Sequence, residues 1–318
     1  MDTEANGTSA RHSTTHCRLT VRMSEYTVQL RIKNKHTFYE GRRPMNAFSL
    51  NHRVAPAAGL TAFFDLAVSL GVTDVEVRNE LPGVAIADGT PAETVRREAE
   101  ARGLTILSIN ALYPFNIWTP ERAESARTLI DYAAACGAQG VVLCPLNDPA
   151  YRAGNAERLG RLREALAALA PLLRRAGVIG LVEPLGFPES SLRLKREAME
   201  AIDAVGEAGT FKLVHDTFHH HVAGETEFFP GHTGLVHVSG VVDEGLSRDA
   251  MKDAHRVLVD AGDRLDNLGQ IRELVAGGYA GPLSFEPFAD SVSNAADIRS
   301  LLADSMTVLR QAEADPAR

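Results

Sequence analysis

The chain has 318 residues, 45% of them hydrophobic and 23% charged, with a net charge of −8. Such a chain can fill one barrel-sized domain of about 250 residues without disulfides or structural zinc. The acidic balance speaks against a nucleic-acid footprint, which needs a basic face, and no apolar run approaches the roughly 18 residues that span a bilayer.

Residues 1–44 differ from the rest. They carry eight Lys/Arg against four Asp/Glu, which leaves about −12 for the remainder. The segment is polar, rich in Thr, Ser and His, and has no secretory apolar core. It is expected to be a disordered extension, or to lie upstream of a true start at Met45. Tyr26–Ile32 alternates and is a candidate short strand.

From Met45 to Arg318 one domain is expected, in which apolar runs alternate with helical patterns. The predicted strands are Ala47–Asn51, Asp74–Arg78, Thr105–Asn110, Gly140–Cys144, Ile179–Glu183, Lys212–Asp216, Leu235–Ser239 and Leu283–Glu286. Each is short and apolar, as a strand buried on both faces should be. The helices between them include Phe63–Leu70, Ala92–Arg102, Thr119–Cys136, Glu157–Arg175, Lys195–Val205, Leu268–Ala276 and Ala296–Ala312. In Glu157–Arg175, leucines 159, 162, 166, 169 and 173 form an amphipathic stripe. Thr119-Pro-Glu reads as a cap followed by proline at the first helical position. Gly71, Gly103, Gly137 and Gly177 each suit a left-handed helix end.

Eight such units in succession predict an α/β fold, a (β/α)8 TIM barrel. The rival is an open doubly wound sheet, which places a glycine-rich phosphate turn after its first strand. Here that place reads His52-Arg53-Val54-Ala55-Pro56. The three cysteines, Cys17, Cys136 and Cys144, lack CxxC spacing, which fits a reducing cytoplasm. Cys136 and Cys144 read as small core residues.

In a barrel the strand C-termini form the active face. Strand five ends in Leu-Val-Glu183, strand six in Val-His215-Asp216, strand seven holds Val-His237-Val, and strand eight ends in Ser-Phe-Glu286. Four adjacent strands thus each deliver a metal-capable side chain to one rim. A buried carboxylate is costly unless paired or coordinated. Three carboxylates and one imidazole suit one divalent ion: Mn²⁺ foremost, with Co²⁺, Mg²⁺ or Zn²⁺ as alternatives. The competing reading is a network of structural ion pairs. His219 falls in the loop after strand six, over the mouth, as a substrate contact. Arg78 and Asn110 end strands two and three and are candidates for binding substrate hydroxyls. Alternatively, Arg78 pairs with Glu76 or Glu80. Arg256 reads either as a lid contact or as a surface arginine.

At these residues the sequence resembles the xylose-isomerase-like superfamily of sugar isomerases and epimerases, and most closely its 2-keto-myo-inositol isomerases. The matching segments are Asn110-Ala-Leu-Tyr-Pro-Phe-Asn116, Val182-Glu183-Pro-Leu-Gly186-Phe-Pro188, Asp216-Thr-Phe-His219-His-His221, Val236-His237-Val and Ser284-Phe-Glu286. The resemblance implies metal ligation by Glu183, Asp216, His237 and Glu286, and substrate contact by His219 and Arg256. It also implies acid–base work by Glu183 and Glu286 on a small polyhydroxylated ketone, in inositol catabolism or a related sugar conversion. One departure is Ser239-Gly240-Val241, where acidic residues would be expected. Hydroxypyruvate isomerase and ketose 3-epimerase remain alternatives, because one fold hosts many substrates. An apurinic endonuclease or a non-catalytic sugar-binding barrel are the rivals from other classes. No nucleic-acid or membrane partner is expected; a homo-oligomer remains open.

Overall fold

Each apolar run from Met45 onward becomes one stave of a closed barrel. The computed structural model describes residues 47–81, 86 and 89–314. The extension 1–44 and the candidate strand Tyr26–Ile32 lie outside the described residues. The strands are β1 Phe48–Asn51, β2 Asp74–Arg78, β3 Thr105–Leu112, β4 Gly140–Leu143, β5 Ile179–Val182, β6 Phe211–Asp216, β7 Thr233–Val238 and β8 Leu283–Phe285. They follow one another round the barrel in chain order, and β1 pairs with β8 in parallel. That closure rules out the open doubly wound sheet.

The helices are α1 Leu60–Ser69, α2 Ala92–Glu100, α3 Pro120–Cys136, α4 Asn155–Ala176, α5 Lys195–Val205, α6 Thr217–Ala223, α7 Asn267–Ala276, α8 Asp290–Ser293, α9 Ile298–Leu309 and α10 Gln311–Ala314. Local chemistry sets their ends. The Thr119 hydroxyl accepts the Arg122 N–H at 3.1 Å, Pro120 opens α3, and Gly137 closes it at φ 83°. In α4, Leu162, Leu166, Leu169 and Leu173 are buried, while Leu159 sits at the half-buried edge of the stripe. Among the described residues no helix is long and apolar enough to cross a membrane.

The predicted elements differ from the observed ones most after β6. The triple-histidine run is not a loop but the short helix α6, capped at its N-terminus by Asp216. The brevity of α6 leaves residues 224–232 to lead back to β7 without further helix.

The strand repeat of two explains how the site is built. Val142, Leu181, Val214 and Leu235 pack as one apolar layer. Two residues further along the same strands come Cys144, Glu183, Asp216 and His237. The same alternation carries Glu76 and Arg78 on β2, Asn51 on β1 and Glu286 after β8 to the cluster described below. An apolar floor therefore lies beneath a polar layer.

His52, directly after β1, is fully buried and stacks on Phe63 with centroids 4.1 Å apart. Its Nε2 bonds the Ala58 carbonyl at 2.8 Å. Burial pushes its pKa down to about 4, assisted by nearby Arg78 and opposed by the Ala58 bond. Because the folded value lies below that of the unfolded chain, this residue's contribution is complete above about pH 6.5 and is lost as pH falls towards 4. The loss amounts to about 3 kcal/mol over that window. His52→Gln, which cannot take up the proton, should therefore gain on the wild type in urea-unfolding midpoint between pH 6.5 and 4. Parallel pH dependences would refute this role.

Candidate metal centre and substrate pocket

Glu183, Asp216, His237 and Glu286 are all buried, and each offers a ligand atom within 4.8 Å of the others. His237 Nδ1 is the focus: it lies 3.0 Å from Glu183 Oε1, 3.2 Å from Glu286 Oε2 and 3.9 Å from Asp216 Oδ2. Three carboxylates converging on one ring nitrogen in a water-poor interior repel one another unless a cation joins them. The donor set therefore fits one divalent ion, and the cluster can hold it. Burial lowers the His237 pKa, but Glu286, Glu76 and Glu183 outweigh burial and raise it well above the ordinary imidazole value. The imidazolium thus balances these acids together with Arg78 and Arg256.

The other ring nitrogen shows how His237 is oriented. His237 Nε2 lies 3.1 and 3.2 Å from the two oxygens of Glu76. Glu76 is fully buried, and the hydroxyls of Ser108 (2.6 Å) and Ser284 donate to it. A carboxylate behind a metal-binding histidine fixes its tautomer and its angle. Glu76→Gln should weaken Mn²⁺ binding about 10- to 100-fold, measured by calorimetric titration of stripped protein. An unchanged affinity would remove this role. Glu76, read from the sequence as a polar residue of the rim and a possible partner of Arg78, was not recognised as the partner of His237. Its signal was the spacing Asp74-x-Glu76-x-Arg78, three charges on one face of a strand otherwise apolar.

Arg78 and Arg256 hold the carboxylates from opposite sides. Arg78 Nη1 bonds Glu286 Oε1 at 2.7 Å, and its Nε bonds Glu80. Of the two pairings considered for Arg78, Glu80 forms and Glu76 does not. Arg256 is 1% exposed, so the surface-arginine reading fails. Its Nη2 bonds Asp216 Oδ2 at 2.6 Å and Glu286 Oε2 at 3.0 Å, and its Nη1 bonds Asp253 Oδ1 at 3.2 Å. Asn110 Nδ2 and Asn51 Nδ2 approach Glu286 Oε1 at 3.3 and 3.2 Å. Burial raises the Glu286 pKa, but His237, Arg256 and Arg78 outweigh it and hold the carboxyl well below its usual range.

A cavity of about 360 Å³ opens onto this cluster. Its wall includes Arg78, Asn110, Glu183, His219, Arg256 and Glu286, so the structure brings every predicted substrate contact to one space. His219 lies on α6 with its ring against Phe187 and Phe218, and its Nδ1 is buried without a hydrogen-bond partner among the described residues. His220 turns away from the cavity and packs on Lys195 at 2.6 Å. Cys144 packs half-buried against the apolar layer and also lines the cavity, with its Sγ 3.3 Å from Glu183 Oε2. Phe187, Phe288 and Tyr113 supply apolar wall that the sequence reading did not single out. Gly186 allows the loop after β5 to lie on α6, since a Cβ there would stand 2.1 Å from the His219 carbonyl oxygen.

A family model described as a xylose isomerase-like TIM barrel matches residues 64–312. A xylose isomerase domain-containing protein from Salmonella typhimurium LT2 is 35% identical; the match covers 84% of this chain and 99% of that one, with a TM-score of 0.77. The IolI protein, solved with a bound zinc atom, is 17% identical over 85% of this chain and 97% of its own, with a TM-score of 0.71. D-psicose 3-epimerase from Clostridium cellulolyticum H10, solved with D-tagatose, is 16% identical over 86% and 100%, with a TM-score of 0.64. These last two establish a shared fold. No curated protein matches the chain.

Proposed function

The chain belongs to the xylose isomerase-like TIM-barrel family, and from that premise we propose that it is a divalent-metal-dependent isomerase or epimerase of a small polyhydroxylated ketone. The observation that carries this reading is the convergence of Glu183, Asp216, Glu286 and His237 within 4.8 Å, with Glu183 and Glu286 lining the cavity. Ion-pair networks alone do not need three carboxylates around one imidazole. A bound divalent ion, Mn²⁺ foremost, would act as a Lewis acid towards the ketone and its neighbouring hydroxyl.

The protein's own groups divide the remaining work. Glu183 turns Oε1 towards His237 and Oε2 towards the Cys144 thiol. Oε2 thus has no cationic partner among the described residues and is the better placed to take a proton from substrate carbon. Glu286 accepts from two arginines and two asparagines, which fix it as an oriented carboxylate facing the same space. Together the two glutamates flank the reacting carbons, one removing a proton and the other serving its return. Proton transfer of this kind contributes about 10²–10⁴-fold. His219, with its unpartnered Nδ1, binds a substrate hydroxyl. Phe187 and Phe288 exclude water above the reacting atoms.

Within this class, the keto-cyclitol 2-keto-myo-inositol is the first candidate substrate, on the strength of the sequence segments around Asn110 and Asp216. The likeness in fold to D-psicose 3-epimerase makes a linear ketose the second. The test is proton NMR of Mn²⁺-loaded protein with 2-keto-myo-inositol in D₂O, beside a metal-stripped control. Metal-dependent deuterium uptake with a new inosose supports the reading. No exchange with the cyclitol or with any linear ketose overturns it.

A further inference from the structure

The seven-residue helix α6 is too short to hold itself, since isolated helices below about 12 residues are marginal in water. Side chains from other elements therefore decide where it lies. Resting on the functional reading above, we propose that Lys195 and Arg193, neither of which lines the substrate cavity, are positioning residues that set His219 against the substrate. Arg193 stands just before α5 and Lys195 opens it. The first turn of α6 is held by Asp216, which accepts the His219 N–H, and by Gln270, whose Nε2 donates to the Thr217 carbonyl at 3.0 Å. The last turn is held from the start of α5.

Lys195 grips that turn through a side chain. Its Nζ lies 2.6 Å from His220 Nδ1 and 2.8 Å from Glu225 Oε2, and the lysine and glutamate side chains are 4% and 8% exposed. The ammonium can only donate, so His220 Nδ1 accepts. The His220 ring also packs on Phe228 and His215, with centroids 4.7 and 4.8 Å away. A buried ion pair is a weak source of stability, because desolvation offsets the attraction. What this one supplies is a fixed seat for the residue beside His219. Arg193 grips the same turn through the backbone. The N–H groups of Gly224 and Glu225 take the His221 and His220 carbonyls, and Arg193 Nη2 takes that of Val222 at 3.2 Å. Arg193 Nε donates to the Gly186 carbonyl at 2.7 Å. That bond ties α6 to the loop carrying the cavity residues Leu185 and Phe187, and the His219 ring packs on Phe187.

The test uses full-length Mn²⁺-loaded protein carrying Arg193→Gln or the charge-balanced pair Lys195→Met/Glu225→Gln, each in the wild-type and His219→Ala backgrounds. Deuterium exchange into 2-keto-myo-inositol and D-tagatose gives kcat and KM. Each change should lower kcat/KM about fivefold or more in the wild-type background, through KM, and by less than about twofold where His219 is already absent. An equal loss in both backgrounds, as a general weakening of the fold would give, overturns the proposal, and so does no loss in the first. Arg193 is half-buried and grips carbonyls rather than a carboxylate, so its variant carries the test should the buried pair fail to fold. If the wild type exchanges no ketone, the isomerase reading falls. In that case, or where His219→Ala is too slow to compare, the His219 imidazole NMR signal decides. Its displacement in Arg193→Gln upholds the positioning role, and an unmoved signal overturns it.

Discussion

Glu286→Gln is expected to lower metal-dependent exchange by about 10²–10⁴-fold or more, the largest effect of any single substitution in the pocket. The change is nearly isosteric, so lost volume is not the reason. Glu286 accepts from Arg78 at 2.7 Å, Arg256 at 3.0 Å, Asn51 at 3.2 Å and Asn110 at 3.3 Å. It also faces His237 Nδ1 at 3.2 Å. A neutral amide removes a metal donor and an oriented proton carrier at once, and it turns an NH₂ towards groups that themselves donate. Leaving two buried guanidinium groups undercompensated should also cost about 3–5 kcal/mol. Unfolding curves and Glu286→Asp separate the two effects. The aspartate variant keeps the charge and should recover stability, yet stay poor in exchange because its carboxylate is drawn back from the cluster. Near-normal exchange in folded Glu286→Gln would remove this residue from the mechanism.

Removal of the divalent ion is expected to abolish exchange and to lower the unfolding midpoint, with both restored by Mn²⁺. At a free concentration one hundred times its dissociation constant, the ion contributes about 2.7 kcal/mol to the folded state. In its absence three carboxylates share the His237 proton, which Glu286, Glu76 and Glu183 retain against burial. Metal binding therefore displaces a proton, and its affinity should fall as pH falls. Chelator-treated protein shown to be metal-free by elemental analysis, yet unchanged in exchange and in midpoint, would eliminate the metal from both roles.

The strand ends were legible because an apolar run stopping at a carboxylate is physically costly, and Glu183, Asp216 and Glu286 each stand in that position. His237 was legible as the polar exception inside β7. Glu76 was not recognised as its partner, because the contact spans 161 positions and depends on barrel closure. Arg256 stayed ambiguous because the segment between β7 and α7 has no helical or strand period to indicate burial. The helix α6 was hidden by its length: seven residues, three of them histidine, look like a loop until Asp216 is seen accepting the His219 N–H at 2.9 Å. The contact of Cys144 with Glu183 was not legible, because an apolar strand ending in a thiol looks the same whether or not the thiol also meets a carboxylate.

The double use of Asp216 has a kinetic consequence. Its Oδ1 caps α6, while its Oδ2 faces the ligand cluster and Arg256. Whatever holds that carboxylate still also holds the first turn of the helix that carries His219. Losing the ion loosens the cap, so the amides of α6 should open to solvent sooner than those of the barrel strands. A sugar arriving first would then meet a histidine not yet in place. The two ligands should accordingly bind in compulsory order, ion before sugar.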